Sequence, residues 1–475
     1  MKRIVSAVLI LIMLFTNAFA ATNTEIINDI INSSDEMRNF EYLIGITGMD
    51  YYFDNQDSDY LRGALAEILK NHPELFEEAL VGAYSALDPN SRYIMSSDFA
   101  TEMETVEGEY VGIGTTITMD EGRFYLTPFA DSPAVEAGIQ AADMVISVDG
   151  VDITGMSLDE VVVRVRGEAG TYVELGIKRG NATFTVKCER REIQINPINY
   201  ALVEDGIGYL QITSFNSNVE EFLLPALDDL EKQGAKTIIL DLRDNLGGEV
   251  TGALATASQF IPNKALIMTQ TFKNEERNKS YYSTSETVRF KPVVLINEYS
   301  ASASEIVAGA IQDNKAGVLV GTQSYGKGTV QTVKQVFTGG AVWYTVASYL
   351  LPGGEWIHGK GITPDYEVEN STSPLDTSTL PKLSYQVMKL GDEGEDVKAL
   401  NASLAALGFT NLNQEGIYDE ATASAVTYVQ SNCELFPYGT ADINTQLAIT
   451  QMLDEAEVVN DDQLAQAIEI ARNLK

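Results

Sequence analysis

A serine hydroxyl attacks a carbonyl only when a base removes its proton, so a chain that does this chemistry must bring a serine and a base together. The most suggestive serine lies in S300-A-S-A-S-E305, a turn between the apolar, β-branched run K291-P-V-V-L-I-N297 and the small and aliphatic residues Ile306 to Ile311. Ser302 and Glu305 also spell a capping box, and capping alone would account for Ser302. Histidine is the usual base, and the chain has only His72 and His358. His72 falls in a helical N-terminal stretch, whereas His358, in W356-I-H-G-K-G-I-T-P-D365, can lie near the serine turn. Lysine is the other candidate, and Lys327 stands in a glycine-flanked loop, Y325-G-K-G328. To act as a base its pKa must fall from about 10.4 to near 7, a differential of about 4 kcal/mol that burial can supply. Gln331, on the same face of an extended strand as Lys327, brings a carboxamide able to hold the lysine nitrogen in line. Donors for a developing oxyanion are the backbone amides of Gly247 and Gly248, left sterically open, and of Ala303 at the start of a helix. Taken alone, the glycine pair is an ordinary tight turn.

Three units of strand, turn, then helix or loop must position these residues. T237-I-I-L-D-L-R243 leads into N245-L-G-G248, the 291–297 strand leads into Ser302, and G317-V-L-V-G321 leads into Y325-G-K-G328. A helix from about Ser302 to Asn314 is roughly 20 Å long, enough for a right-handed crossover between parallel strands. Parallel strands release their following loops along one edge, so the glycine pair, Ser302 and Lys327 converge on the carboxyl edge of the sheet. Thr329 to Phe337 and Ala341 to Leu351 read as a hairpin around T338-G-G340. One rival motif overlaps this region. G321-T-Q-S-Y-G-K-G328 nearly spells a phosphate-binding loop, but Gly328 stands where a hydroxyl is needed. The residues that follow are also strand-like rather than helical, so nucleotide binding is rejected.

The flanking regions have different grammars. From Thr24 to Met103 the pattern is mostly helical, with a break at His72-Pro73, and it ends in the turn D88-P-N-S-R-Y93, read as packing rather than chemistry. From Thr105 to Arg191 come short strands, with two short helices after Ser132-Pro133 and from Ser157 to Val165, as in a small α+β module. Its stretch Y110-V-G-I-G114 can turn successive amides toward a C-terminal carboxylate while the following strand pairs with the peptide. After the polar linker E369-N-S-T-S-P-L-D-T-S-T379, glycine-punctuated periodicity predicts three short helices as a separate bundle.

At 475 residues, 45% hydrophobic and 21% charged, the chain can bury several cores, about three domains' worth. Its net charge of −36 repels phosphate backbones and anionic headgroups, so nucleic acid is not an expected partner. Residues 1–20 have a basic start, an apolar run from Ile4 to Phe15 and a small-residue end, Ala18-Phe19-Ala20, as in a secretory signal peptide; an uncleaved anchor is the alternative. The mature chain is therefore expected outside the cytoplasm. Cys188 and Cys433 form no disulfide framework and read as plain buried thiols. Having only two histidines nearly excludes a multi-histidine metal site, so no metal and no cofactor is expected.

S132-P-A-V-E-A-G-I139, A142-D-M-V-I-S-V-D-G150 and G155-M-S-L-D-E-V160 resemble a PDZ domain of the circularly permuted bacterial protease type, with Ala142 where a glycine commonly precedes the aspartate. L390-G-D-E-G-E-D-V-K-A-L400 and the segments after it resemble a small peptidoglycan-binding domain, poorly matched after Cys433. S300-A-S-A-S-E305, G326-K-G-T-V-Q331, L242-R-D-N-L-G-G248 and G359-K-G-I-T-P-D365 resemble the C-terminal processing peptidases. These are serine proteases with a Ser-Lys dyad. That resemblance implies Ser302 as nucleophile, Lys327 as base, Gln331 as its support, and the amides of Ala303, Gly247 and Gly248 as oxyanion donors; Tyr110, Val111, Gly112, Ile113 and Gly114 are the candidate peptide-binding stretch of the PDZ-like module, with an ordinary turn as the alternative. The fold class expected is a multidomain α/β and α+β protein: signal peptide 1–20, N-terminal helical segment 21–104, PDZ domain 105–192, mixed-sheet α/β serine protease core 193–368, linker 369–384 and helical domain 385–475. The partners implied are protein or peptide substrates with free C-termini, and peptidoglycan; self-association as a homodimer is left open. The reading from another class is a catalytically silent, wall-associated scaffold that binds peptides and peptidoglycan.

Overall fold

The structure is a computed structural model that describes residues 66–474 apart from 121, 181, 338 and 434. The expected signal peptide and the other residues up to 65 lie outside the described residues. The chain divides into two compact units, one formed by residues up to Tyr110, Gln194–Glu367 and Ala467–Lys475, the other by Val111–Ile193 and Val368–Gln466.

The first unit is built on a six-stranded sheet in the order Ile198–Glu204, Ile207–Ile212, Thr237–Asp241, Lys291–Ile296, Val318–Gly321, Tyr366–Glu367. The first pair is antiparallel and every other pair is parallel. Thr237–Asp241 is buried along its whole length and Lys291–Ile296 after its first residue, which is why both read as unbroken apolar runs rather than alternating ones. Helices Val219–Lys232, Val250–Phe260 and Ala303–Asp313 follow successive strands and contribute Leu227, Ala257 and Val307 to one core. The loops that follow Asp241, Ile296 and Gly321 therefore leave the sheet at one edge.

A second sheet carries the hairpin Thr329–Gln335 and Ala341–Leu350, antiparallel as expected. One edge of the Ala341–Leu350 strand takes Thr329–Gln335, and the other takes Arg92–Ile94 and Leu266–Phe272. Arg92 to Ile94 is thus a strand of this sheet, not only the tail of a turn. Upstream, Pro73 ends one helix and opens the short turn Pro73–Leu75 before helix Phe76–Ser85, so the break at His72-Pro73 is real.

The second unit holds two separate cores. Strands Thr115–Asp120, Arg123–Pro128, Asp143–Val148, Tyr172–Arg179 and Ala182–Glu189 form an antiparallel sheet around Phe124, Leu126, Val161 and Leu175. Helix Leu158–Val165 starts from a complete capping box, with Ser157 N–H on Glu160 at 2.8 Å and Glu160 N–H on Ser157 Oγ at 3.3 Å. Cys188 is buried in this core, which pushes its thiol up to about 11, and both cysteines are free thiols. Ala142 sits at φ 64°, where a side chain is strained, yet its N–H still bonds Leu126 O at 2.9 Å. Ala142→Gly is expected to stabilise this module by roughly 1 kcal/mol, read as a higher Tm or denaturation midpoint.

The other core belongs to helices Glu395–Ala406, Glu420–Asn432 and Ile443–Glu455. Segments 390–400 and 404–409 contribute to one helix, and a helix after Cys433, where the resemblance is poorly matched, completes the bundle through Ile449 and Leu453. The polar linker is not all free chain. Thr372–Pro374 pairs antiparallel with Glu457–Val459.

Candidate active site

The turn after Lys291–Ile296 is tied down by the serines on either side of Ser302. Ser300 Oγ donates to Leu242 O at 2.8 Å and accepts Asn297 N–H at 2.9 Å, and Ser304 Oγ donates to Asn245 O at 2.8 Å. Both are fully buried, while Ser302 keeps some exposure. Among the serines of the run only Ser302 therefore has a hydroxyl within reach of a substrate. Its backbone is strained, with φ 56° and ψ −110° at the N-cap of the helix, a conformation that sharp nucleophile turns use to thrust the side chain outward.

The expected capping box is carried by its glutamate. Glu305 Oε2 accepts Ser302 N–H at 2.8 Å, whereas the Ser302 hydroxyl makes no capping hydrogen bond, its approach to the helix amide lacking hydrogen-bond geometry. The hydroxyl is thus free for chemistry. Glu305 does far more than cap. The same Oε2 accepts Lys327 N–H at 2.8 Å, and Oε1 accepts Gly326 N–H at 2.7 Å and the Ser324 hydroxyl at 2.5 Å. One fully buried carboxylate therefore fastens the serine turn and the lysine loop to a single point. Tyr349, also fully buried, fastens them from the carbonyl side, donating to Ser302 O at 3.3 Å and Lys327 O at 3.0 Å. Burial, with Glu305 nearby, holds its phenol well above the ordinary tyrosine pKa.

Lys327 leads into the Thr329–Gln335 strand and is half-buried. Its amine makes no hydrogen bond or ion pair among the described residues. Burial lowers its pKa below the ordinary lysine value, helped by the Arg92 charge and opposed by Asp88 and Glu305. Gln331 donates from Nε2 to Thr329 Oγ1 at 3.0 Å and Thr345 Oγ1 at 3.1 Å. The strand that follows Gly328 contradicts a phosphate-binding loop, which needs a helix there.

The glycine pair lies against the serine. A Cβ on Gly247, at φ 100°, would stand 2.7 Å from Ala301 O and 2.9 Å from both Ala303 N and Ser302 Cβ; one on Gly248 would stand 2.2 Å from Phe215 O. Only glycine fits either place. The expectation for the Gly247 amide needs correction, because that N–H is already spent on Asn245 Oδ1 at 2.9 Å, closing a local Asx turn. The Gly247 requirement is steric.

The histidines are placed otherwise. His72 is on the surface beside Glu74, at 3.2 Å. His358 stacks on Trp356 with centroids 5.3 Å apart, and its backbone N would lie 2.9 Å from a Cβ on Gly328, so it backs the lysine loop from behind. In the second unit, Ile113 is buried, its carbonyl accepts Ala134 N–H at 2.9 Å, and Gly114, at φ 73°, accepts Phe129 N–H at 2.9 Å. Val111 and Gly112 end a short strand just before the edge strand Thr115–Asp120; Tyr110 belongs to the first unit.

Residues 206–368 match peptidase family S41, residues 129–179 a PDZ domain, and residues 393–449 a peptidoglycan binding domain. A "Probable CtpA-like serine protease" of Staphylococcus haemolyticus is 35% identical over 428 residues, spanning 89% of this chain and 84% of its own. The chain belongs to peptidase family S41. A "Carboxy-terminal processing protease CtpA" of Bacillus subtilis is likewise 35% identical over 404 residues, covering 83% of this chain and 85% of that one. A solved structure named photosystem II D1 C-terminal processing protease aligns at 27% identity over 71% of this chain and 94% of that chain, with a TM-score of 0.39. As an S41 peptidase with a PDZ domain and a peptidoglycan-binding domain, the protein is a serine-type C-terminal processing protease. The S41 match contains Ser302, Lys327, Gln331 and the glycine pair. It does not reach the Asp88 turn.

Proposed function

We propose that this protease is exported, captures the C-terminal tails of unfolded proteins in its PDZ domain and cuts them with a Ser302-Lys327 dyad. The observation that carries the dyad is the double fastening of Ser302 and Lys327 by Glu305 and Tyr349, with the remaining serines of the run buried in structural bonds. The neutral Lys327 amine takes the Ser302 proton as Oγ attacks the peptide carbonyl, then passes it to the leaving amine, and water hydrolyses the acyl-enzyme. The Ala303 and Gly248 N–H groups serve the oxyanion, and the start of the Ala303–Asp313 helix favours the same charge. Exposed Leu246, Tyr299 and Tyr325, on the loops around the serine, offer apolar contact to an unfolded chain. Export is supported by the pattern of residues 1–20, and wall association by the peptidoglycan-binding match. Among the described residues no helix is long and apolar enough to cross a membrane.

The test is an unfolded substrate made with a free and with an amidated C-terminus. Loss of one charge-assisted carboxylate site is expected to raise KM about tenfold or more. Equal KM values would refute tail capture through Tyr110 to Gly114.

A further inference from the structure

The D88-P-N-S-R-Y93 turn, read from sequence as mere packing, reaches the machinery just described. Gln331 lies in a strand whose partner carries an irregularity: Val330 faces Ala347, but Gln331 faces Thr345, with Val346 skipped. Such a bulge re-aims a side chain, and here it sets a hydroxyl against the carboxamide where an unbroken register would set a valine. Thr345 Oγ1 also lies 3.1 Å from Asp88 Oδ1, and Thr345 N–H donates to Ser91 Oγ at 3.1 Å. Asp88 is itself fixed, accepting Asn90 N–H at 2.8 Å and the Ser91 hydroxyl at 2.6 Å.

We propose that Asp88 and Thr345 are positioning residues that decide which end of the Gln331 carboxamide faces Lys327. The inference rests on the Ser302-Lys327 reading. A carboxamide can exchange its oxygen and NH2 by a flip with little change in shape, so a neighbour must choose. An ionised carboxylate has no proton to give, so the single Thr345 hydroxyl proton goes to Asp88. Only the oxygen lone pairs of Thr345 are then left for Gln331, which must present its NH2 there, as the structure shows. Thr329 Oγ1 takes the other N–H. The Gln331 oxygen, like the Lys327 amine without a hydrogen bond among the described residues, is left to accept a proton of that amine in the working site and turn the amine's lone pair toward Ser302. In the flipped state the NH2 would donate to that lone pair, and the base would be occupied.

Charge is a separate route from Asp88 to Lys327, because Asp88, Glu305 from the serine helix and Arg92 from the Arg92–Ile94 strand all act on the amine through their charge. The two routes predict different kinetics. Thr345→Val keeps shape and charge but removes the relay. It is expected to lower kcat about 100-fold with KM changed by less than about twofold, while Thr345→Ser stays within about threefold of wild type in kcat. Asp88→Ala removes the acceptor, so the Thr345 hydroxyl can turn its proton to the Gln331 oxygen and reverse the chain of donors. It should lower the high-pH plateau of kcat and, by removing a negative charge, move the acid limb to lower pH. The Thr345→Val, Gln331→Ala double variant should fall no further than Gln331→Ala alone.

A wild-type plateau in Thr345→Val, or additive losses in the double variant, would overturn the proposal. Should Thr345→Val melt early, Asp88→Ala decides: a shifted acid limb with an unchanged plateau means charge alone and refutes the relay. Lys327→Ala, assayed in parallel, separates the readings. If it stays active the dyad is wrong, whereas an inactive Lys327→Ala beside a fully active Thr345→Val defeats only the relay.

Discussion

Ser302→Ala and Lys327→Ala are each expected to lower kcat/KM toward an unfolded protein by at least about 1000-fold, with the double variant no slower than either. No neighbour can stand in for either residue. Ser300 and Ser304 are fully buried and donate to Leu242 O and Asn245 O, and Lys360 is exposed beside Glu355. Folding should survive both changes, because the Ser302 hydroxyl makes no capping bond and the Lys327 amine none among the described residues. Circular dichroism and thermal melts check that. The pH dependence follows in sign. Lys327 works as the neutral amine, so kcat/KM rises with pH, and burial and Arg92 place that rise below the ordinary lysine pKa. Arg92→Ala removes a charge that disfavours the protonated amine, so its acid limb moves to higher pH. His358→Ala should remain within about threefold of wild type, since the ring is stacked on Trp356 behind the lysine loop. Activity that survives Lys327→Ala and dies in His358→Ala would establish a histidine base instead.

The elements that position the site were legible because each is built from local signals that agree. Thr237–Asp241 and Lys291–Ile296 read as buried parallel strands because both faces are covered, and the loops after them read as converging because parallel strands end on one edge. The third helix of the C-terminal module was harder to see for a matching reason. In Ile443–Glu455, Ile443 and Leu447 are exposed while Ile449 and Leu453 are buried, so its apolar residues do not keep to one stripe. What sequence could not supply were partnerships across the chain. Thr345 and Asp88 are 257 residues apart, and nothing in D-P-N-S beyond turn chemistry announces an acceptor for a distant hydroxyl. Tyr349 looks like any aromatic residue of a hairpin strand. The Gly247 amide was miscounted as a donor because Asn245, two residues earlier, is read first as a loop residue and only in three dimensions as the acceptor that occupies it.

Glu305 shows the same limit most sharply, and it carries the second large expectation. Sequence reads it as the N3 member of a capping box, which is true of one of its four hydrogen bonds. The other three come from Ser324, Gly326 and Lys327, on the loop that follows the next strand. Removing the carboxylate leaves three backbone N–H groups and a hydroxyl in a dry site without an acceptor, and each such orphan costs roughly 1–3 kcal/mol. Glu305→Ala is therefore expected to lose at least about 3 kcal/mol of stability and at least about 100-fold in kcat, because the serine turn and lysine loop no longer share an anchor. Glu305→Gln separates the two losses. Its oxygen can keep Ser302 N–H and Lys327 N–H, and its NH2 can be met by Ser324, whose hydroxyl is free to turn. Gly326 N–H is then left facing a donor, a penalty of about 1–3 kcal/mol. The charge is gone as well, and since Glu305 favours the protonated form of Lys327, the acid limb of the pH profile should move to lower pH. Denaturant melts and kcat against pH on both variants decide the matter. A Glu305→Ala protein with wild-type stability and wild-type kcat would mean that the serine and lysine loops are held by Tyr349 and the sheet alone.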